Sequence, residues 1–240
     1  MLIAEIGLNH LGNITLAKKY IKSLVNTEID AITLQVRESD YYVNNPKFKL
    51  TKNLYIEIVS LAKQYNKQIG IAIADINMID FFESLNIDFY KVIRNDITNK
   101  KLITKLISTN KKLIISTGLS SENDIQNFIN EFGTKNITLN HTQLSYDPKD
   151  CNLSAIKVMK SQYNCNISYG SHCDNKNVLY MALCYNPSDI LFYVKYDDQI
   201  YPDDKHAIKL NNIDTVISNL KNLTTAIGTG IKNKMKIKIK

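Results

Sequence analysis

The feature that most constrains this chain is an alternation repeated eight times: a short apolar run, then a stretch with helical spacing. LIAEIG precedes a helix predicted from Thr15 to Val25, AITLQV one near Leu54 to Gln64, QIGIAIA one through Phe81, and DFYKVI one over Leu102 to Ile107. KLIIST leads into Glu122 to Phe132, NITLNH into Leu153 to Met159, NISYG into Val178 to Cys184, and DILFYV into Ile213 to Leu223. Continuous apolar runs mark strands buried on both faces, and right-handed crossovers between parallel neighbours close such a series into a barrel. The expectation is a single-domain α/β protein, a (β/α)8 TIM barrel over residues 1–231, followed by a basic tail over 232–240. An open doubly wound sheet is the alternative. It needs fewer units or a glycine-rich phosphate turn after strand 1, and GLNHLG lacks that spacing.

At 240 residues, 44 % of them hydrophobic, the chain can bury one substantial core. Its net charge of +7 suggests nucleic acid until the lysines are placed, because five fall in residues 232–240 and leave the barrel nearly balanced. No aromatic or glycine-rich recognition motif accompanies them, so neither nucleic acid nor membrane is expected as a partner. The start, MLIAEIGLNH, has no basic leader region, and no window reaches the length of a membrane span; a cytoplasmic protein is expected. Cys151, Cys165, Cys173 and Cys184 lack CxxC spacing, which points to reduced thiols and no structural zinc.

Loops after the strands of such a barrel share one mouth, so polar residues there are catalytic candidates. His10, His141, His172 and His206 all fall at strand ends or in the loops that follow; adjacent strands 7 and 8 would bring His172 and His206 together as ligands for a metal such as Mn, Fe or Zn. Only two of the 30 basic residues are arginines, and both, Arg37 and Arg94, lie just past strand ends. In so lysine-rich a chain this suggests a planar clamp for a carboxylate or phosphate, or else loop salt bridges with Glu38 or Asp96. Carboxylates gather at the same end: Asp75, Asp96, and Asp197, Asp198, Asp203 and Asp204 after strand 8. Glu5, inside strand 1, is costly to bury unless paired, and Lys91 in the apolar YKVI strand is its natural partner, in a structural ion pair or a working one.

IAEIGLNHLGNITLAKK resembles the opening of the sialic acid synthases, in which an AEIGxNHxG segment forms strand 1 and its loop. The resemblance continues through DFYKV, LIISTGLSSENDI, ITLNHTQLSYDP, the SH of GSHCD, PDDKHA and AIGTGIK, and so spans the whole barrel. It implies an enzyme of nonulosonic acid or related surface-carbohydrate biosynthesis. In such an enzyme phosphoenolpyruvate condenses with the open-chain aldehyde of an N-acylated hexosamine, a divalent metal such as Mn2+ activates the aldehyde, and phosphate leaves. It further implies Glu5 as an active-site glutamate, Lys91 as a phosphate-binding lysine, His172 as the first metal histidine and Asp203 as a substrate contact.

Departures from the family pattern are several. Thr33 stands for a second lysine, Arg94 for a phosphate-contacting serine, and Asp96 for a glutamate. Gln143 and Ser145 replace an asparagine and a tyrosine, Gly170 replaces a serine, and Val194 falls where the second metal histidine belongs. The family also adds a small antifreeze-like domain after the barrel. With no counterpart in these 240 residues, the expectation is a monomer or weak homodimer. Three readings follow. In a diverged synthase, Glu5, Lys91 and Asp96 are catalytic, Arg37, Arg94, Gln143 and Asp203 bind substrate, and His172 and His206 hold the metal. The others are a non-catalytic homologue serving as partner or scaffold, and a keto-acid lyase or aldolase using Lys91 as a Schiff-base nucleophile.

Overall fold

The computed structural model describes residues 1–94 and 96–232, so most of the basic tail expected over 232–240 lies outside the described residues. Eight parallel strands, β1 (Leu2–Gly7), β2 (Ala31–Val36), β3 (Gln68–Ile73), β4 (Phe89–Val92), β5 (Lys112–Ser116), β6 (Ile137–Thr142), β7 (Asn166–Ser171) and β8 (Ile190–Lys195), pair in sequence order. β1 also pairs with β8, from Leu2↔Ile190 to Glu5↔Tyr193, which closes the barrel. The structure is the (β/α)8 barrel that the alternation predicts. A two-residue strand, β9 (Ile208–Lys209), extends the sheet from the end of β8.

Outside the barrel, among the described residues, lie α1 (Ile14–Val25), α2 (Ser39–Asn44), α3 (Lys52–Gln64), α4 (Ile79–Ser84), α5 (Lys100–Ile107), α6 (Glu122–Phe132), α7 (Ala155–Tyr163), α8 (Lys176–Ala182) and α9 (Ile213–Ile227). Local chemistry sets their ends. The Asn13 side chain accepts from the Leu16 amide at the start of α1, and Ser121 with Asp124 forms a reciprocal capping box on α6. Asn66, Asn86, Asn110, Asn136, Asn164 and Asn186 each take a left-handed conformation in the turn before a strand, where an asparagine tolerates positive φ best after glycine. The last two helices run over Lys176–Ala182 and to Ile227 rather than over Val178 to Cys184 and to Leu223, and two further differences involve buried aromatic residues. The connection from Glu38 to Lys52 contains α2 and a 3-10 turn over Pro46–Phe48, because Tyr42 and Phe48 are buried against Leu8 there. The sixth barrel helix, α7, starts at Ala155 and runs on to Tyr163, which is buried.

Alternation along the strands builds the interior in layers. Ile3, Ala31, Phe89, Ile114 and Leu191 form an apolar floor. Two residues further along the same strands come Glu5, Thr33, Lys91, Ser116 and Tyr193, all buried, so polar groups fill the layer above it. Val194 faces the other way, into the packing between barrel and helices.

Candidate active site

Glu5 on β1 and Lys91 on β4 meet across the lumen as an ion pair; Glu5 is wholly buried and Lys91 nearly so. The second carboxylate oxygen, Oε1, is buried without a hydrogen-bond partner, as are Thr33 Oγ1 on β2, and Asn140 Nδ2 and Thr142 Oγ1 on β6. Unsatisfied buried groups are rare in folded proteins, and their concentration in one barrel marks a place built for water or a polar ligand. Asn140 is aimed by Ser168, whose hydroxyl donates to its Oδ1 at 2.9 Å. It occupies space that Gly170 leaves free, since a Cβ there would sit 2.6 Å from Asn140 Nδ2.

Tyr193 covers the ion pair, with the Lys91 ammonium 5.7 Å from its ring centroid. Burial, together with the nearby Glu5 and Asp203 carboxyls, holds the phenol protonated by raising its pKa well above the usual value. His172 and His206 close over the same ring, with centroids at 5.1 and 4.7 Å, and lie 4.5 Å from each other. Tyr146 stacks on the outer side of His206 at 5.8 Å. Burial holds His206 down at about 4, helped by the Lys91 charge; burial, His206 and Lys91 hold His172 down at about 3. Both rings are therefore neutral at physiological pH.

Val194 turns outward, so the β8 position that confronts His172 from inside the barrel is Tyr193, and the second imidazole comes from His206 on the loop beyond. Both nitrogens of His206 are buried without a partner, and Asp203 Oδ1 lies 4.0 Å from its Nε2. Neutral imidazoles with free lone pairs suit a divalent first-row metal. Among the described residues no three His, Cys, Asp or Glu side chains converge into a complete cage, so solvent or substrate oxygens would have to supply the remaining ligands.

Asp203 is held in place by Asn9, whose Oδ1 accepts from the Asp203 amide at 3.1 Å while its Nδ2 donates to the Val194 carbonyl at 2.9 Å. Sequence reasoning gave Asn9 no role; its signal was the polar side chain within AEIGLNH, fully buried here. Burial, reinforced by Glu5, raises the Asp203 carboxyl to about 7.

The arginines lie over the β2 and β4 side of the mouth. Arg37 Nε and Nη2 each donate to Glu38 at 3.0 Å, and Arg94 Nη2 reaches both Glu38 oxygens at 3.2 Å. Asp96 Oδ2 stands 3.8 Å from Arg94 Nη2, and burial raises its carboxyl pKa despite that cation. Both expected salt-bridge partners, Glu38 and Asp96, are thus present. Gln143 is half-buried just past β6. His141 is engaged structurally, its Nε2 lying 2.9 Å from the Cys151 carbonyl, and His10 Nδ1 accepts from the Gly12 amide at 2.9 Å. The structure therefore joins Glu5, Lys91, His172, His206 and Asp203 around Tyr193, and sets Arg37, Arg94 and Asp96 in a second cluster.

The sequence profile described as the NeuB family matches residues 16–232. The chain belongs to that family. An uncharacterized protein of Methanocaldococcus jannaschii is 31 % identical over 71 % of this chain and 55 % of its own length. The N,N'-diacetyllegionaminic acid synthase of Campylobacter jejuni is 24 % identical over 98 % of this chain and 80 % of its own, and the N-acetylneuraminate-9-phosphate synthase of Drosophila melanogaster 27 % over 71 % and 53 %. The chain thus spans about half the length of two of these curated relatives. In fold it is similar to the N-acetylneuraminic acid synthetase of Leptospira borgpetersenii, solved in complex with citrate, with a TM-score of 0.90 at 22 % identity over 98 % of this chain and 87 % of that one. A truncated 3-deoxy-D-arabino-heptulosonate 7-phosphate synthase of Thermotoga maritima is similar in fold, with a TM-score of 0.75 at 14 % identity over 95 % of this chain and 87 % of that one.

Proposed function

We propose that this NeuB-family barrel is a carbon–carbon bond-forming transferase that condenses phosphoenolpyruvate with an N-acylated hexosamine to give a nonulosonic acid. The observation that carries the reading is the Glu5–Lys91 pair, buried in a polar lumen beneath two uncharged imidazoles. Lys91 supplies a cation for the phosphate or carboxylate of phosphoenolpyruvate. Glu5, with one oxygen unpaired, directs water or holds the proton moved when phosphate leaves. Asp203 keeps a proton near neutrality for the developing hydroxyl, and Gln143 borders the sugar end. A divalent cation, Mn2+ by expectation, held at His172 and His206 would polarise the aldehyde. Residues 1–231 form the catalytic unit, and the protein works in the cytoplasm as a monomer or weak homodimer. No described helix is long and apolar enough to cross a membrane.

Phosphate release from phosphoenolpyruvate with a panel of N-acylhexosamines and Mn2+ tests the reading: release is expected, and Glu5→Gln is expected to abolish it. Release that survives Glu5→Gln, or none with any sugar, overturns it. One observation favours the second reading, a non-catalytic partner protein. Glu5 has no exposure to solvent beneath Tyr193, so catalysis requires the loop carrying Asp203 and His206 to open. A Schiff-base role for Lys91 is the weakest, because its ammonium is engaged by Glu5 and offers no free lone pair.

A further inference from the structure

The chain's only two arginines leave different strands and end on one carboxylate, that of Glu38. Arg37 is oriented before any ligand arrives: its guanidinium lies 3.9 Å above the Tyr41 ring, and its Nε and Nη2 present a two-toothed fork to Glu38. Arg94 completes the grip through Nη2 alone. Two guanidinium groups closing on one pair of oxygens is the geometry by which proteins recognise carboxylate and phosphate ligands.

Glu38 does not use all that the arginines offer. Arg94 Nε is buried without a hydrogen-bond partner, so the cluster holds a donor that the Glu38 carboxylate does not engage. Glu38 is also the most accessible of the three, at 39 % against 14 % for Arg37 and 35 % for Arg94, and the side chain can swing into water. We propose that Glu38 is the internal occupant of an anion site formed by Arg37 and Arg94, and that it sets a threshold for entry: every anion must displace it at the same cost, which a phosphate dianion meets and a monocarboxylate does not. A monocarboxylate brings the same two oxygens and the same charge as Glu38, yet it must give up the freedom of a separate molecule, while Glu38 is tethered one residue away. A phosphate dianion brings a second charge and a third oxygen, which suits Arg94 Nε. Assigning that phosphate to a substrate rests on the proposed activity; the site itself does not.

Calorimetric titration of the whole chain and of Glu38→Gln with inorganic phosphate, and separately with pyruvate and acetate, at one ionic strength, tests this. Wild type is expected to bind phosphate and neither carboxylate. Glu38→Gln should bind phosphate at least about ten-fold tighter, the factor that 1.4 kcal/mol represents, and should gain binding of pyruvate and acetate. Arg94→Ala in the Glu38→Gln background should lose all three. Phosphate affinity unchanged or weakened in Glu38→Gln overturns the proposal. If that variant does not fold, Glu38→Asp, with the charge drawn back on a shorter arm, should still bind phosphate tighter than wild type, and equal or weaker binding is the overturning result. This pattern without phosphate release from phosphoenolpyruvate would remove the proposed activity and leave the anion site standing; release without the pattern would remove only the role of Glu38.

Discussion

His172 and His206 lie ring against ring, 4.5 Å between centroids and 39° apart in plane, although one follows β7 and the other belongs to the loop beyond β8. Two imidazoles kept neutral and adjacent have lone pairs to share. Mn2+ is therefore expected to raise the melting temperature of the wild type, by roughly 2.7 kcal/mol of added stability when the ion is at about a hundred times its Kd. Because burial holds both pKa values near 3 to 4, the effect should persist at pH 5, where ordinary histidines are protonated. Differential scanning fluorimetry of His206→Ala checks it, and a shift equal to that of the wild type would dismiss the pair as a metal site.

Stability should rise with pH between about 4 and 6.5. All four histidines have folded-state pKa values below the unfolded value, His10 and His206 at about 4 and His172 at about 3, with burial the leading cause. In this window the unfolded chain binds their protons and the folded chain does not, so the stability they contribute is complete above pH 6.5 and is lost as pH falls. Asp203 opposes them. Its folded pKa of about 7 exceeds its unfolded value, so its contribution is complete below pH 3.8 and is lost as pH rises toward 7. The Asp96 carboxyl, which burial also raises, opposes them in the same sense, and four groups outweigh two. Urea unfolding at pH 5 and pH 7 should show the higher midpoint at pH 7; the reverse order would mean that these histidines are solvated.

Removing one partner of the Glu5–Lys91 pair should cost far more than removing both. Lys91→Met leaves a buried carboxylate uncompensated, a loss of about 3–5 kcal/mol, whereas Glu5→Gln with Lys91→Met removes both charges and should recover most of it. Chemical denaturation of the two variants measures the difference. Equal losses would show that water already reaches the lumen and screens the pair.

Much of this was legible in the chain. The alternation of apolar runs with helical spacing dictates the barrel, since strands covered on both faces have few other arrangements, and the Glu5–Lys91 pair follows from the cost of burying either charge alone. The strand-end rule also brought His172 and His206 together. Register within a strand was harder to read. In DILFYV a one-residue offset exchanges inward and outward faces, and only the β1–β8 pairing Glu5↔Tyr193 turns Tyr193 into the lumen and Val194 out. Asn9 escaped notice because an asparagine that bridges a strand carbonyl to a distant loop looks, in sequence, like any polar turn residue.

Gly7, at the end of β1, tests how closely the mouth is packed. Its φ of +56° lies in the left-handed region, and a Cβ there would approach Asp203 Oδ2 to 2.8 Å and Tyr193 Cε1 to 2.9 Å. Gly7→Ala therefore combines backbone strain of about 1 kcal/mol or more with a steric conflict: the Asp203 carboxylate can turn aside, but the Tyr193 ring, against which both imidazoles pack, cannot readily do so. The expected result is a total destabilisation of about 2–4 kcal/mol together with displacement of the loop bearing Asp203 and His206, so the Mn2+-dependent rise in melting temperature should shrink as well. A loss of only about 1 kcal/mol with the Mn2+-dependent rise intact would mean that Tyr193 and Asp203 do not pack against β1 and that Gly7 serves only the turn.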